Sequence, residues 1–305
     1  MAIVSVNNLT FDYPGTRALD DVSFEVPQGA IVALVGPNGS GKTTLLSCLA
    51  ALVTPFAGEI SINDVDALEE PRLCHRQVGY LADFFGLYQE LTVEQSLRYA
   101  CRIHDVRRSE EDRVIRQTAE RLAIADRMHM KAGALSRGLR QRLAIAQTIV
   151  HEPTVLLLDE PASGLDPEAR LDLSKLFIEL QQAGMTLIVS SHILAELEQY
   201  STDMLVLSKG KIVERTLIRH APVNQVNLLV RCLAPVAGIE QCLAQMPDVQ
   251  LVSAEGNTAI LHCQDDNTVQ HDLLQHLLAN GYQVYSFTEE RVNMQDAYLE
   301  TLRKH

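Results

Sequence analysis

Apolar positions open this chain in short bursts. Ile3–Val6, Val22–Val26 and Ile31–Val35 read as strands, separated by the turn formers Tyr13-Pro14-Gly15 and Pro27-Gln28-Gly29. A helix is expected from Ser40 to Leu52, directly after a glycine-rich loop. Residues 84–134 are helix-rich and carry much of the charge. Leu139 to His151 is another helical pattern, stopped by Pro153. Val155–Leu158 is apolar at every position, as a strand buried on both faces requires. Leu171–Gln182 then reads as helix and Thr186–Ser190 as strand. Such alternation implies a parallel sheet with crossover helices.

The pattern changes near residue 215. From Ala221 onward it predicts a strand (Asn227–Leu233), a helix (Ile239–Gln245), two strands (Val249–Ala254 and Thr258–Cys263), a helix (Val269–Leu278), a strand (Gln283–Phe287) and a short closing helix. Glu255-Gly256-Asn257 suits a hairpin between the two middle strands. The order βαββαβ is ferredoxin-like. Two domains are expected, residues 1–219 and a small α+β domain over 220–305.

Composition narrows the function. Of 305 residues, 47% are hydrophobic and 21% charged, which excludes disorder, a collagen repeat and a small disulfide scaffold. Thirty-nine acids against 26 bases give a net charge of −13, which argues against a nucleic-acid partner. It leaves room for one nucleotide, which needs only a local nest of donors. The tail from Ala221 holds four bases and ten acids, so an RNA-binding version of its fold is disfavoured too. No run approaches the roughly 18 consecutive apolar residues of a membrane span. The N-terminal MAIVSVNN lacks the basic and long apolar regions of a secretory signal. Six cysteines without a C-x-x-C pair suggest buried thiols in a reducing cytoplasm.

Gly36-Pro37-Asn38-Gly39-Ser40-Gly41-Lys42-Thr43 fits G-x-x-x-x-G-K-[ST] at every fixed position, and Thr44 follows it. It leaves a predicted strand and opens a predicted helix, the context the motif requires. Glycines let backbone N–H groups wrap a phosphate, and the helix N-terminus favours an anion. Lys42 would reach the β- and γ-phosphates and Thr43 would ligate Mg²⁺. Leu156-Leu157-Leu158-Asp159-Glu160 is an apolar strand ending in two acids. Alone it is an ordinary surface acidic pair; after a phosphate loop, Asp159 becomes a metal ligand and Glu160 a general base for water.

The segment Leu135-Ser136-Arg137-Gly138-Leu139-Arg140-Gln141-Arg142 resembles the signature motif of ATP-binding cassette (ABC) ATPases, commonly LSGGQ followed by QR. Asp159-Glu160-Pro161-Ala162-Ser163-Gly164-Leu165-Asp166 is similar to that family's Walker B and D-loop, and Ser190-Ser191-His192 to its H-loop. Tyr13 stands where the family has an aromatic that stacks on adenine. The resemblance covers residues 1–215 or so and implies a fold class: an α/β P-loop cassette. It comprises a parallel-sheet core, an antiparallel β subdomain and a helical subdomain over about 84–150, here with the ferredoxin-like tail appended.

The resemblance also implies an ATPase using ATP and Mg²⁺. Two cassettes close head to tail over two ATPs, with Ser136 and Gly138 on the partner's nucleotide, Asp166 along the seam and His192 on the γ-phosphate and water. It implies a second ATP-binding subunit, a homodimer in the simplest case, and a separate transmembrane permease. The location would be the cytoplasmic, inner face of a bacterial cell membrane.

Two departures stand out. Arg137 and Leu139 replace the usual Gly and Gln, a variant resembling cassettes that serve ABC-2-type exporters. In Val78-Gly79-Tyr80-Leu81-Ala82-Asp83 the last position is usually Gln; Asp83 keeps an oxygen ligand for the metal but is shorter and charged. Phe84-Phe85-Gly86-Leu87-Tyr88 is either local core or, as in the family, part of the surface that receives a permease helix. The closing Asn293–Leu299 segment resembles the short helix that ends many such exporters' cassettes. His262, His271 and His276 fit no metal-ligand spacing. A soluble cassette ATPase of translation or DNA repair is the alternative, disfavoured by a single cassette without coiled-coil heptads or zinc motifs. A small-molecule kinase would require the signature and H-loop to be coincidence.

Overall fold

The computed structural model describes residues 2–84, 86–217, 225–243, 246, 248–264 and 266–289. The described residues fall into two compact units, 2–217 and 225–289.

In chain order the first unit runs β1 (Ala2–Tyr13), β2 (Thr16–Pro27), β3 (Ile31–Val35), α1 (Lys42–Leu49), β4 (Ala57–Ile62), β5 (Val65–Asp66), α2 (Pro71–Gln77) and β6 (Val78–Leu81). It continues with α3 (Val93–Ile103), α4 (Glu111–Arg121), α5 (Arg137–Ile149), β7 (Val155–Asp159), α6 (Pro167–Gln182), β8 (Thr186–Ser190), α7 (Leu194–Leu197), β9 (Asp203–Ser208) and β10 (Lys211–Leu217). An antiparallel sheet has the order β2-β1-β4-β5; a second sheet has the order β10-β9-β3-β8-β7-β6 and is parallel except for β10.

The three central strands β3, β7 and β8 are buried at every position because both faces are covered. Their side chains alternate between two cores. Ile31, Ala33, Val35, Leu156, Leu158, Leu187 and Val189 join the core shared with the helices α3 to α6. Val32, Leu34, Val155, Leu157 and Ile188 join the core shared with the antiparallel sheet. This sandwich holds the parallel strands at fixed depth. Loops leaving their C-terminal ends therefore start from fixed points.

The N-terminal strands are longer than the sequence pattern suggests, 12 residues each. Their alternation is interrupted by register shifts, and Asn8 and Asp21 take left-handed backbone there, bonded to each other at 2.7 Å. Strands β4, β5, β6, β9 and β10 are additions to the expected elements. β5 and β6 are short, β4 and β10 are half polar, and the apolar run of β9 is confined to Met204–Leu207. The helix expected from Ser40 begins at Lys42, because Gly41 is left-handed with φ +109°. The helical stretch comprises α3, α4 and α5; Thr92 and Gln95 close a capping box on α3.

The second unit runs β11 (Gln225–Cys232), α8 (Ile239–Leu243), β12 (Gln250–Glu255), β13 (Thr258–Gln264), α9 (Asn267–Ala279) and β14 (Val284–Glu289). Its sheet order β12-β13-β11-β14, antiparallel throughout, is the ferredoxin-like arrangement. Gly256-Asn257 forms the expected hairpin turn, with Glu255 opposite Thr258. Its core is Leu228, Val230, Ala259, Leu261, Leu273, Leu277 and their neighbours. The predicted closing helix at 293–299 lies outside the described residues.

Candidate functional site

Strand register assembles the site. Leu34 and Asp159 both lie opposite Ser190, and Leu81 lies opposite Leu158. The loops after β3, β8, β7 and β6 therefore emerge side by side at the C-terminal edge of the sheet, where open α/β folds bind ligands. The phosphate-loop, Walker B, H-loop and Asp83 motifs lie on these four loops.

The loop Gly36–Gly41 wraps ahead of α1. Gly36 and Ser40 are buried, while Pro37, Asn38 and Gly39 face solvent. A Cβ on Gly36 would lie 2.1 Å from the Leu207 carbonyl oxygen, so β9 leaves no room for a side chain there. Lys42 is buried and its ammonium donates to the carbonyls of Gly36 (2.8 Å) and Pro37 (3.3 Å). The cation thus sits over the mouth of the loop, held by its own backbone. Thr43 is exposed on the first turn of α1. Thr44 is buried, and its hydroxyl lies 3.4 Å from that of Tyr13. Tyr13 packs edge-on against Phe11 and stays half exposed, which leaves a ring available beside the loop.

Asp159 ends β7 fully buried and accepts a 2.5 Å hydrogen bond from the Ser190 hydroxyl. Its other oxygen, Oδ2, is buried with no hydrogen-bond partner. Such a group is costly in isolation and suits a cation. Glu160 adopts left-handed backbone, φ +48°, and its N–H donates to both the carbonyl and hydroxyl of Ser190. That turn carries its carboxylate to His192, whose Nδ1 lies 2.6 Å from Oε2.

Asp83, two residues past β6, is exposed. Tyr80 on β6 shares a hydrogen bond with Ser47 of α1; burial raises its phenol pKa, and the charges of Asp159 and Asp83 raise it further. Asp83 and Glu160 line one cleft of about 460 Å³, together with Arg137 and Arg140. The Thr43 hydroxyl, the orphaned Asp159 oxygen and the Asp83 carboxylate have the hard oxygen chemistry that suits Mg²⁺.

Ser136 caps α5, accepting from the Leu139 N–H at 3.3 Å. The first turn of α5 holds no acid but two arginines, Arg137 and Arg140. A Cβ on Gly138 would meet nothing closer than 3.7 Å, so the chain's own packing does not demand glycine there. Asp166 caps α6 through the Ala169 N–H at 2.9 Å. Its neighbourhood with Ser136 and Gly138 forms a groove between the two helix starts, about 300 Å³ in volume.

Three features are not legible in the sequence. Ser190 holds both acids, and its signal is a lone hydroxyl ending an apolar strand. Arg137 donates to the Ser163 carbonyl at 2.9 Å, tying the signature helix to the segment after Glu160. Phe84 is 95% exposed, so local core packing does not account for it, whereas Leu87 does pack on the core. Phe85 lies outside the described residues. The tail histidines are engaged locally: His262 with Asn227, His271 with Gln275 and His276 with the Cys242 carbonyl.

Known proteins resemble this chain along most of its length. A family model described as ABC transporter matches residues 19–163. The chain is 29% identical over 300 residues to the uncharacterized ABC transporter ATP-binding protein YxlF of Bacillus subtilis, spanning 98% of this chain and 99% of that one. It is 31% identical over 200 residues to the ABC transporter ATP-binding protein NatA of the same organism, spanning 65% and 81% respectively. A solved structure of an ATP-binding subunit of an ABC transporter superposes with a TM-score of 0.64 at 31% identity, over 71% of this chain and 90% of that one. The chain belongs to the ABC transporter family and is one of its ATP-binding, ATP-hydrolysing subunits.

Proposed function

We propose that this subunit is the motor of an ABC-2-type exporter. In this reading it binds ATP with Mg²⁺, closes head to tail with a second copy, and drives a separate transmembrane permease from the cytoplasmic membrane face. The observation that carries the reading is the 2.6 Å contact between Glu160 and His192, beside a buried aspartate with an unpartnered oxygen. Glu160 takes the proton of the attacking water. His192 holds that carboxylate with Nδ1, which leaves Nε2 for a phosphate oxygen or the water. Lys42 exchanges its two loop carbonyls for phosphate oxygens, and the amides from Gly36 to Thr43 complete the cradle. Tyr13 stacks on the base. Thr43, Asp159 and Asp83 would hold the metal, which would neutralise phosphate charge.

The two-copy arrangement has its own support. Two arginines on the first turn of α5 oppose the helix dipole, an arrangement that an anion at that end offsets. Gly138 is free of internal constraint, as a position approached from outside would be. On this reading Ser136, Gly138 and Asp166 serve the ATP of the partner copy. Phe84, Tyr88, Tyr99 and Ile103, all exposed, offer an apolar surface for a permease segment. Among the described residues no helix is long and apolar enough to cross a membrane. On this reading residues 1–219 are the cassette and 220–305 an accessory domain.

The test is purification of tagged protein from detergent-solubilised membranes. A multi-span membrane protein recovered with it, released by substitution of Phe84 and Tyr88, supports the reading. Recovery with ribosomes or DNA instead, and no membrane protein, rejects it.

A further inference from the structure

Behind the Glu160–His192 contact lies a second link between the same two loops. Arg170, on the first turn of α6, donates from Nε to the Leu165 carbonyl at 2.9 Å. Its Nη1 lies 2.9 Å from Oε1 of Glu196, on α7. The route from Glu160 to Leu165 is a run of tight turns, Ser163 N–H to the Glu160 carbonyl and Leu165 N–H to the Ala162 carbonyl. Glu196 follows His192 by four residues. The contacts close a ring: Glu160, the turns to Leu165, Arg170, Glu196, one turn back to His192, and across to Glu160.

Glu196 is 8% exposed, and among the described residues Arg170 is the one cation within ion-pair reach. Burial raises its carboxyl pKa, with Arg170 and, more weakly, His192 pulling the other way and Glu160 adding to the rise. Tyr200 is buried close enough to feel the charges of both Glu196 and Glu160, and packs edge-on against Phe177 of α6. The ring is therefore backed by core.

We propose that Arg170 and Glu196 are positioning residues for hydrolysis, holding the loop after β7 and the helix after β8 at the separation that lets His192 reach Glu160. This rests on the catalytic reading of Glu160 and His192. Neither Arg170 nor Glu196 is placed on nucleotide. Without Arg170 the buried Glu196 carboxylate loses its counter-charge, and α7 shifts to reach water, taking His192 with it. Without both, that drive disappears. ATP binding, set by the loop after β3, is untouched in either case.

The experiment measures steady-state ATP hydrolysis by the full chain for Arg170→Met, Arg170→Lys, Glu196→Gln and the double variant Arg170→Met/Glu196→Gln. Arg170→Met is expected to lower kcat by about 30-fold with KM for ATP within about twofold. The double variant recovers about tenfold of that loss, and Arg170→Lys, which keeps the counter-charge but cannot bridge both the Leu165 carbonyl and Glu196, falls between wild type and Arg170→Met. Wild-type turnover in Arg170→Met, a double variant no faster than it, or a raised KM with unchanged kcat overturns the proposal. Should Arg170→Met not fold, Glu196→Gln decides, since it removes the charge that Arg170 pairs with: a kcat lowered by about threefold or more with KM for ATP within about twofold supports the proposal, and wild-type turnover overturns it. Glu160→Gln and His192→Ala run alongside. If those hydrolyse ATP normally, the catalytic reading has failed rather than the linkage.

Discussion

His192 Nδ1 and Glu160 Oε2 lie 2.6 Å apart although 32 residues separate them in the chain. The contact exists because β7 and β8 are adjacent parallel strands with Asp159 opposite Ser190, so their following residues emerge together. Glu160 turns toward His192 through a left-handed backbone that Ser190 holds with two acceptors.

Glu160→Gln keeps the shape of the side chain and removes its basicity. Hydrolysis is expected to fall by about 100-fold or more while ATP affinity persists. With ATP the variant is expected to run as a dimer in gel filtration; a monomer at saturating ATP rejects head-to-tail closure.

Lys42→Ala removes the cation that now bridges the Gly36 and Pro37 carbonyls. ATP affinity, read by titration with a fluorescent nucleotide, is expected to weaken by about tenfold or more. Unchanged affinity would mean that the cradle binds without it.

Gly36→Ala places a Cβ 2.1 Å from a backbone oxygen of β9, which cannot swing aside as a side chain could. A stability loss of about 2 kcal/mol is expected, measured by urea unfolding. Gly39→Ala meets no neighbour; its left-handed φ of +78° costs about 1 kcal/mol.

His104 and His151 stack face to face, with ring centroids 3.7 Å apart, where α3 and α5 end. Burial pushes the His151 pKa down to about 4, with His104 adding to the effect, and His104 is lowered as well. A histidine depressed in the fold binds fewer protons than in the unfolded chain. Its stability contribution is complete above the ordinary histidine pKa and is lost as pH falls toward about 4. Between pH 7 and 5 the chain is expected to lose roughly 1–2 kcal/mol from this pair. Urea unfolding at both pH values checks it, and His151→Gln should flatten that dependence.

A chain truncated after residue 219 is expected to keep the melting transition and nucleotide affinity of the cassette. Each described unit has its own core, Leu228, Leu261 and Leu277 in the second and the two sheet-faced layers in the first. Loss of cooperative unfolding in the truncated chain places the boundary elsewhere.

Much of this architecture is local in the sequence. Gly36–Thr43, Leu135–Arg142 and Asp159–Asp166 are contiguous motifs. Each is short enough that spacing alone conveys the loop or helix start it forms. The tail likewise reads as βαββαβ, because turn residues bound its strands. Strands β4 and β10 are less legible because half-polar segments carry weak alternation, and the full length of β1 is hidden because a bulge at Asn8 breaks its period.

The cradle, the two acids, the signature helix and the order of the main elements are written locally, since each depends on residues a few positions apart. Which of them meet is set by the packed fold. The Glu160–His192 contact, the Ser190 bonds to both acids, the Arg137 tie to Ser163 and the Arg170–Glu196 pair all cross between separate elements. Parallel strand register and buried packing set those distances, and no local pattern encodes them.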